Sequence, residues 1–66
     1  MTTFYIYIHN DIFAITAHEG SIPPAKIAAK VSLTDERIDE IMRMEWVEYQ
    51  DILEHYFENS QKLVVA

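Results

Sequence analysis

The sequence predicts a single small domain of the α+β class, with three or four helices in its core and a short sheet formed by the two ends of the chain. The 66 residues are enough for one domain, which we place at residues 1–66. Residues 3–8 are β-branched and aromatic, as in a strand, and residues 62–65 are a second short strand that we expect to pair with them. Apolar residues recur at helical spacing between these ends.

The first two helices are predicted in the first half of the chain. Asn10 or Asp11 is suited to cap a short amphipathic helix that contains residues 12–16, and Gly20, the only glycine, is suited to end it. Two prolines follow in a turn, where they favour the start of a second helix. That helix is expected to continue over residues 25–30.

A third helix is predicted to begin after Thr34. Threonine is a good N-cap, and the acids Asp35 and Glu36 would lie in the first turn, where the helix dipole favours negative charge. The buried stripe of this helix is expected to consist of Ile38, Ile41 and Met42.

Residues 46–58 allow two interpretations. Apolar residues recur there at helical spacing with acids on the opposite side, which favours a fourth helix, either separate from the third or fused to it. The alternative is a strand at residues 46–50 followed by a hairpin between residues 55–57 and 62–65, with a turn at residues 58–61. We prefer the helix.

Apolar and small residues follow a fixed spacing across the second and third predicted helices, at Ile27, Ala28, Val31, Ser32, Leu33, Ile38 and Ile41. With this spacing, residues 10–43 resemble the helix-turn-helix family, in particular the three-helix part of winged-helix domains. Ala28 would let the two helices approach closely, and Ser32 stands where the family usually has glycine. The resemblance implies a DNA-binding protein whose second motif helix enters the major groove.

The charge pattern argues against that use of the helix. The net charge is −6, and residues 34–58 hold nine acids and two arginines, whereas residues 1–33 have no net charge. By the resemblance, the groove-facing positions would be Thr34, Asp35, Glu36, Asp39, Glu40 and Arg43. Four of these six are acids, which a phosphate backbone repels and a basic protein surface attracts. A dimeric transcriptional regulator that binds DNA directly is therefore the less favoured alternative.

Composition also narrows the chemistry that we expect. There is no cysteine, no phosphate-binding glycine loop and no apolar run long enough to cross a membrane, so we expect a cytoplasmic protein that is not an enzyme. We expect no catalytic residue, no cofactor and no metal. Asp51, His55 and Glu58 would converge on a helix, but a metal site needs further fixed ligands, and a solvated acidic surface explains them better.

The sequence thus predicts a small regulatory or inhibitor protein that binds a protein partner with a basic surface, and a homodimer is a further expectation. Its size and acidity are similar to those of phage proteins that inhibit nucleic-acid machinery, such as anti-CRISPRs, antirepressors and DNA mimics. The mechanism would be occlusion of a nucleic-acid-binding site by carboxylates, with exposed aromatic residues adding contact area. The predicted partner-binding residues are Asp35, Glu36, Asp39, Glu40, Arg43, Glu45, Trp46, Glu48 and Tyr49.

Overall fold

The computed structural model describes residues 1–65 and contains four strands and two α-helices. In chain order these are β1 (Thr2–His9), β2 (Ile12–Thr16), β3 (Ile27–Leu33), α1 (Asp35–Met42), α2 (Trp46–Asn59) and β4 (Gln61–Val64), with a single 3-10 turn at Glu19–Ser21. The strands form one antiparallel sheet in the order β2-β1-β3-β4. The α+β class is confirmed, but the core of three or four helices is wrong.

The first predicted helix is in fact strand β2. Asn10 and Asp11 have positive φ angles of 53° and 64°, the backbone of a tight two-residue hairpin turn, so the chain reverses and runs back along β1. Residues that favour helix caps also favour this left-handed conformation, and here the turn prevails. Phe13 and Ile15 then pack against the main core.

The second predicted helix is also wrong, because residues 27–33 form β3 in the middle of the sheet. Ala29 and Val31 point into the main core, whereas Ala28 points into a smaller core on the other face of the sheet. Ala25 has a φ of 67°, a left-handed backbone that ends any helix. The helix pair implied by the helix-turn-helix resemblance is therefore not formed.

The second half of the chain follows the prediction more closely. Thr34 is the N-cap of α1, and its Oγ1 accepts a hydrogen bond from the Arg37 backbone N–H at 3.1 Å. Ile41 is fully buried, but Met42, which we expected in the same buried stripe, is 56% exposed. Residues 46–59 form the helix α2, separate from α1, so the hairpin alternative is wrong.

The predicted strand near the end of the chain is confirmed, but its pairing partner is not the expected one. β4 pairs with β3 instead of β1, because β1 already has β2 on one side and β3 on the other.

Helices α1 and α2 cover one face of the sheet and enclose the main core. Its buried residues are Ile6, Ala29, Val31, Leu33, Ile41 and Leu53. The second core, on the opposite face, contains Ile22, Ala28 and Val65. Strand β1 thus contributes residues to cores on both faces of the sheet. Within residues 1–65, no helix combines the length and hydropathy needed to cross a membrane.

Candidate functional site

The candidate site lies on the outer side of the helical hairpin formed by α1 and α2. The two helices are held together by Arg37 and Tyr56: the Arg37 Nε donates to the Tyr56 Oη at 3.0 Å, and the guanidinium lies 5.9 Å from the ring centroid. This hydrogen bond, which Arg37 donates to Tyr56, is the largest cause of the raised pKa of Arg37, and smaller effects include the nearby Glu40 carboxylate. Arg37 is therefore occupied within the hairpin.

All nine acids of residues 34–58 are exposed, and together they form what we call the acidic helical surface. Its members are Asp35, Glu36, Asp39, Glu40, Glu45, Glu48, Asp51, Glu54 and Glu58. Within the described chain one of them forms an ion pair, from Glu40 to Arg37 at 3.5 Å. The Glu40 side chain is 64% exposed, so this pair is well solvated and leaves most of the negative charge uncompensated.

The three lysines lie on or beside the sheet, one just before β3, one in β3 and one in β4. The Lys26 ammonium donates to the Ile8 carbonyl at 3.1 Å, and the Lys62 ammonium lies 5.1 Å from the Phe57 ring centroid. Lys30 is exposed on strand β3, opposite Tyr5 of β1 and Gln61 of β4. The molecule is therefore polarised, with its negative charge concentrated on the helices.

Apolar side chains interrupt the acidic helical surface where α1 ends and α2 begins. Met42, Trp46 and Val47 are 56%, 59% and 69% exposed. The Trp46 ring lies beside Tyr49, with centroids 5.9 Å apart, and Tyr49 is half-buried against the main core. Burial raises the pKa of the Tyr49 phenol. An exposed tryptophan held by a packed neighbour is the kind of residue that dominates protein interfaces.

A shallow open groove lies beside these apolar residues and is lined by Met44, Glu48, Asp51 and Ile52. Met44 and Ile52 are half-buried, and the two carboxylates are exposed. Its volume of about 280 Å³ is below the range of most small-molecule pockets. The groove has the size and chemistry for one long cationic side chain, whose methylenes would lie on the apolar residues while its charge meets the carboxylates.

The predicted site residues lie together, on α1, on α2 and in the segment between them. Eight of them are exposed, and Tyr49 is half-buried. Glu45 is the N-cap residue of α2 without a side-chain capping bond, so its carboxylate is available to a partner. Of the groove residues, Glu48 is in the predicted set, whereas Met44, Asp51 and Ile52 are not. The set also lacks the exposed Met42 and Val47. Val47 lies off the apolar stripe of α2, a signal that a helical projection would have found.

His55 lies beside Asn59 near the end of α2. Its Nδ1 lies 3.5 Å from the Asn59 amide nitrogen, and no group of three or more acids or histidines converges within residues 1–65. Asp51, His55 and Glu58 are all exposed on α2.

Comparisons with protein-family models, curated proteins and solved structures give no match to this chain. The fold and the acidic helical surface therefore carry the functional argument by themselves.

Proposed function

We propose that this protein is a small regulatory or inhibitor module that acts by binding another protein. Its acidic helical surface would cover a basic surface of the partner, of the kind that otherwise contacts nucleic acid. The observation that carries the proposal is the set of nine exposed carboxylates on the same two helices as an exposed tryptophan, with a single ion pair among them in the described chain.

Charge and apolar contact have separate roles in this mechanism. The carboxylates attract a cationic surface and raise the association rate, an effect that weakens as salt screens the charges. Trp46 and Val47 supply apolar area that leaves water on binding, and this area slows dissociation. A lysine or arginine of the partner would fill the groove between Met44 and Asp51.

A peptide-binding experiment tests the surface without knowledge of the natural partner. The probe is a fluorescent deca-arginine peptide, titrated with the protein by anisotropy at several salt concentrations. Asp39→Lys weakens binding by about two- to fivefold, as expected for the loss of one exposed charge contact. Glu19→Lys is the matched control, because it changes the net charge equally but lies in the 3-10 turn, outside the acidic helical surface.

Equal weakening by Asp39→Lys and Glu19→Lys would show that only net charge matters, and it would contradict the proposal. Trp46→Ala is expected to weaken binding by about tenfold if the ring contacts the arginines, since interface tryptophans often contribute more than about 1 kcal/mol. With the natural partner, captured from host extract, reversal of Asp35, Glu36, Asp39 and Glu40 to lysine should abolish capture.

Direct DNA binding is the alternative function, and a gel-shift assay with the purified protein tests it. Helix α1 is preceded by strand β3, so the helix pair that would position it in the major groove is missing, and its exposed side carries acids. We expect no retardation of duplex DNA in a low-salt gel-shift assay. Retardation that weakens when Lys26 or Lys30 is replaced would favour the DNA-binding alternative.

A further inference from the structure

The two edges of the sheet differ in whether their backbone is available for pairing. On edge strand β2, the Gln50 side chain bonds the Phe13 backbone twice: its Oε1 accepts from the N–H at 2.8 Å and its Nε2 donates to the carbonyl at 2.9 Å. These bonds occupy the outward-facing backbone groups of Phe13, the second residue of β2. A second chain that added to this edge would have to displace Gln50.

The edge of β4 carries no such cap in the described chain. The Val65 N–H donates to the Lys26 carbonyl at 2.9 Å, and the Val65 carbonyl accepts from the Ala25 N–H at 2.8 Å, so the backbone groups of Val65 face the segment that leads into β3. Because backbone groups alternate in an antiparallel ladder, Leu63 also faces β3, whereas Lys62 and Val64 direct their N–H and C=O groups outward. Two residues spaced in this way provide two donors and two acceptors.

The second half of this edge strand is apolar, and the lysine that precedes it is turned back onto its own chain. Val64 and its β3 neighbour Ile27 are 68% and 53% exposed. Lysine on an edge strand usually prevents pairing, but the Lys62 ammonium lies 5.1 Å from the Phe57 ring centroid and 3.4 Å from the Ser60 carbonyl oxygen.

A second copy of this chain is the occupant that fits the edge. Two copies would repel each other through their acidic helical surfaces, and residues 59–65 contain no acid. The edge is also self-complementary: if Leu63 meets Leu63 at a two-fold axis, each Lys62 lies opposite a Val64 and the outward groups form four hydrogen bonds. We propose that β4 pairs antiparallel with β4 of a second copy in this register.

This dimer extends the sheet across both copies. An antiparallel pair of edges related by a two-fold axis keeps equivalent faces on the same side, so both helical hairpins lie on one face of the joined sheet. The dimer therefore presents two acidic helical surfaces in the same direction, which increases avidity for a partner with repeated basic sites.

Sedimentation equilibrium from micromolar to millimolar protein tests the proposal. The wild-type chain is expected to form dimers as concentration rises. Val64→Lys places a lysine opposite Lys62 of the other copy at two symmetric positions, and the dissociation constant should rise by about tenfold. The matched control is Val47→Lys, since Val47 is 69% exposed against 68% for Val64 but lies on α2, and it should dimerise at least as well as the wild type.

The register is tested by moving the charges. Val64→Glu should retain the dimer, because the new carboxylate meets Lys62, and Lys62→Glu combined with Val64→Lys should recover most of the affinity lost in Val64→Lys alone. Circular dichroism confirms that each variant is folded. A wild-type chain that remains monomeric throughout, or a dimer that Val64→Lys and Val47→Lys weaken equally, overturns the proposal. Failure of the Lys62→Glu/Val64→Lys rescue overturns the register.

Discussion

Replacing Gln50 with methionine removes the two hydrogen bonds that attach helix α2 to the edge of the sheet. The amide of Gln50 accepts from the Phe13 N–H at 2.8 Å and donates to the Phe13 carbonyl at 2.9 Å. Methionine has a similar length and keeps the packing of the methylenes, but it offers the Phe13 carbonyl no donor. The variant therefore isolates the hydrogen bonds from the surrounding apolar contacts.

The expected loss of stability follows from the number of bonds. A hydrogen bond contributes about 0.5–1.5 kcal/mol net to folding, so two lower the free energy of unfolding by about 1–3 kcal/mol. Both partners are half-buried, Phe13 on the edge strand β2 and Gln50 on α2, so water can replace part of the interaction and we expect a loss of about 1–2 kcal/mol. For a domain of this size each kcal/mol lowers the melting temperature by about 4–8 °C.

Urea unfolding followed by circular dichroism measures this loss. The matched control is Gln61→Met, which makes the same substitution at the exposed residue that begins β4 and should change the unfolding free energy by less than about 0.5 kcal/mol. If Gln50→Met and Gln61→Met unfold at the same urea concentration with the same slope, the amide does not attach α2 to β2. Because the substitution also uncaps the β2 edge, aggregation of Gln50→Met should increase with protein concentration.

Three further predictions concern the core, the cap of α1 and the response to high pH. Leu53→Ala creates a cavity between α2 and the sheet at a fully buried position and should lower the free energy of unfolding, measured by thermal unfolding, by about 2–5 kcal/mol. A loss below about 1 kcal/mol would mean that Leu53 is not central to the core. Thr34→Ala removes the acceptor of the Arg37 backbone N–H and should lower the free energy of unfolding in urea by about 1 kcal/mol. Thr34→Ser keeps a hydroxyl acceptor and should retain most of this stability, so equal losses in the two variants would contradict the capping role. Burial raises the pKa of Tyr49, so the unfolded chain loses this phenol proton first, and stability falls as pH rises above the ordinary value of 10.0. In Tyr49→Phe the decline above that pH should be smaller, and an identical decline in both proteins would refute the assignment.

Local chemistry was enough to predict the elements whose signals agree with one another. Residues 3–8 are β-branched and aromatic and form part of β1. Thr34 caps a helix whose first turn carries two acids, and apolar spacing identifies α2. In each case propensity, capping and hydrophobic period favour the same structure, so the tertiary environment has little to override.

The first half of the chain contains signals with two meanings, and there the sequence prediction failed. Asn10 and Asp11 suit both a helix N-cap and a two-residue hairpin turn. Ala28 and Ala29 suit a helix by propensity, yet both are fully buried in the central strand β3, where the two cores leave room only for small side chains. Whether such residues form a helix or a strand depends on the residues they pair with and pack against, which lie far away in the sequence.

The sequence by itself determined that a helical segment would carry the carboxylates outward, because the apolar spacing of α1 and α2 leaves the acids on the opposite side. The sequence also places Trp46 among the partner-binding residues, and a helical projection of α2 leaves Val47 off its apolar stripe. Only the tertiary structure decided that Met42, which we expected to be buried, accompanies them. Met42, Trp46 and Val47 are exposed at the turn between the helices, where α2 begins beyond the cover of the main core. Exposure at such a place depends on how far one element extends past another, and strand pairing depends on which edge is already occupied; neither is encoded in a local stretch of residues.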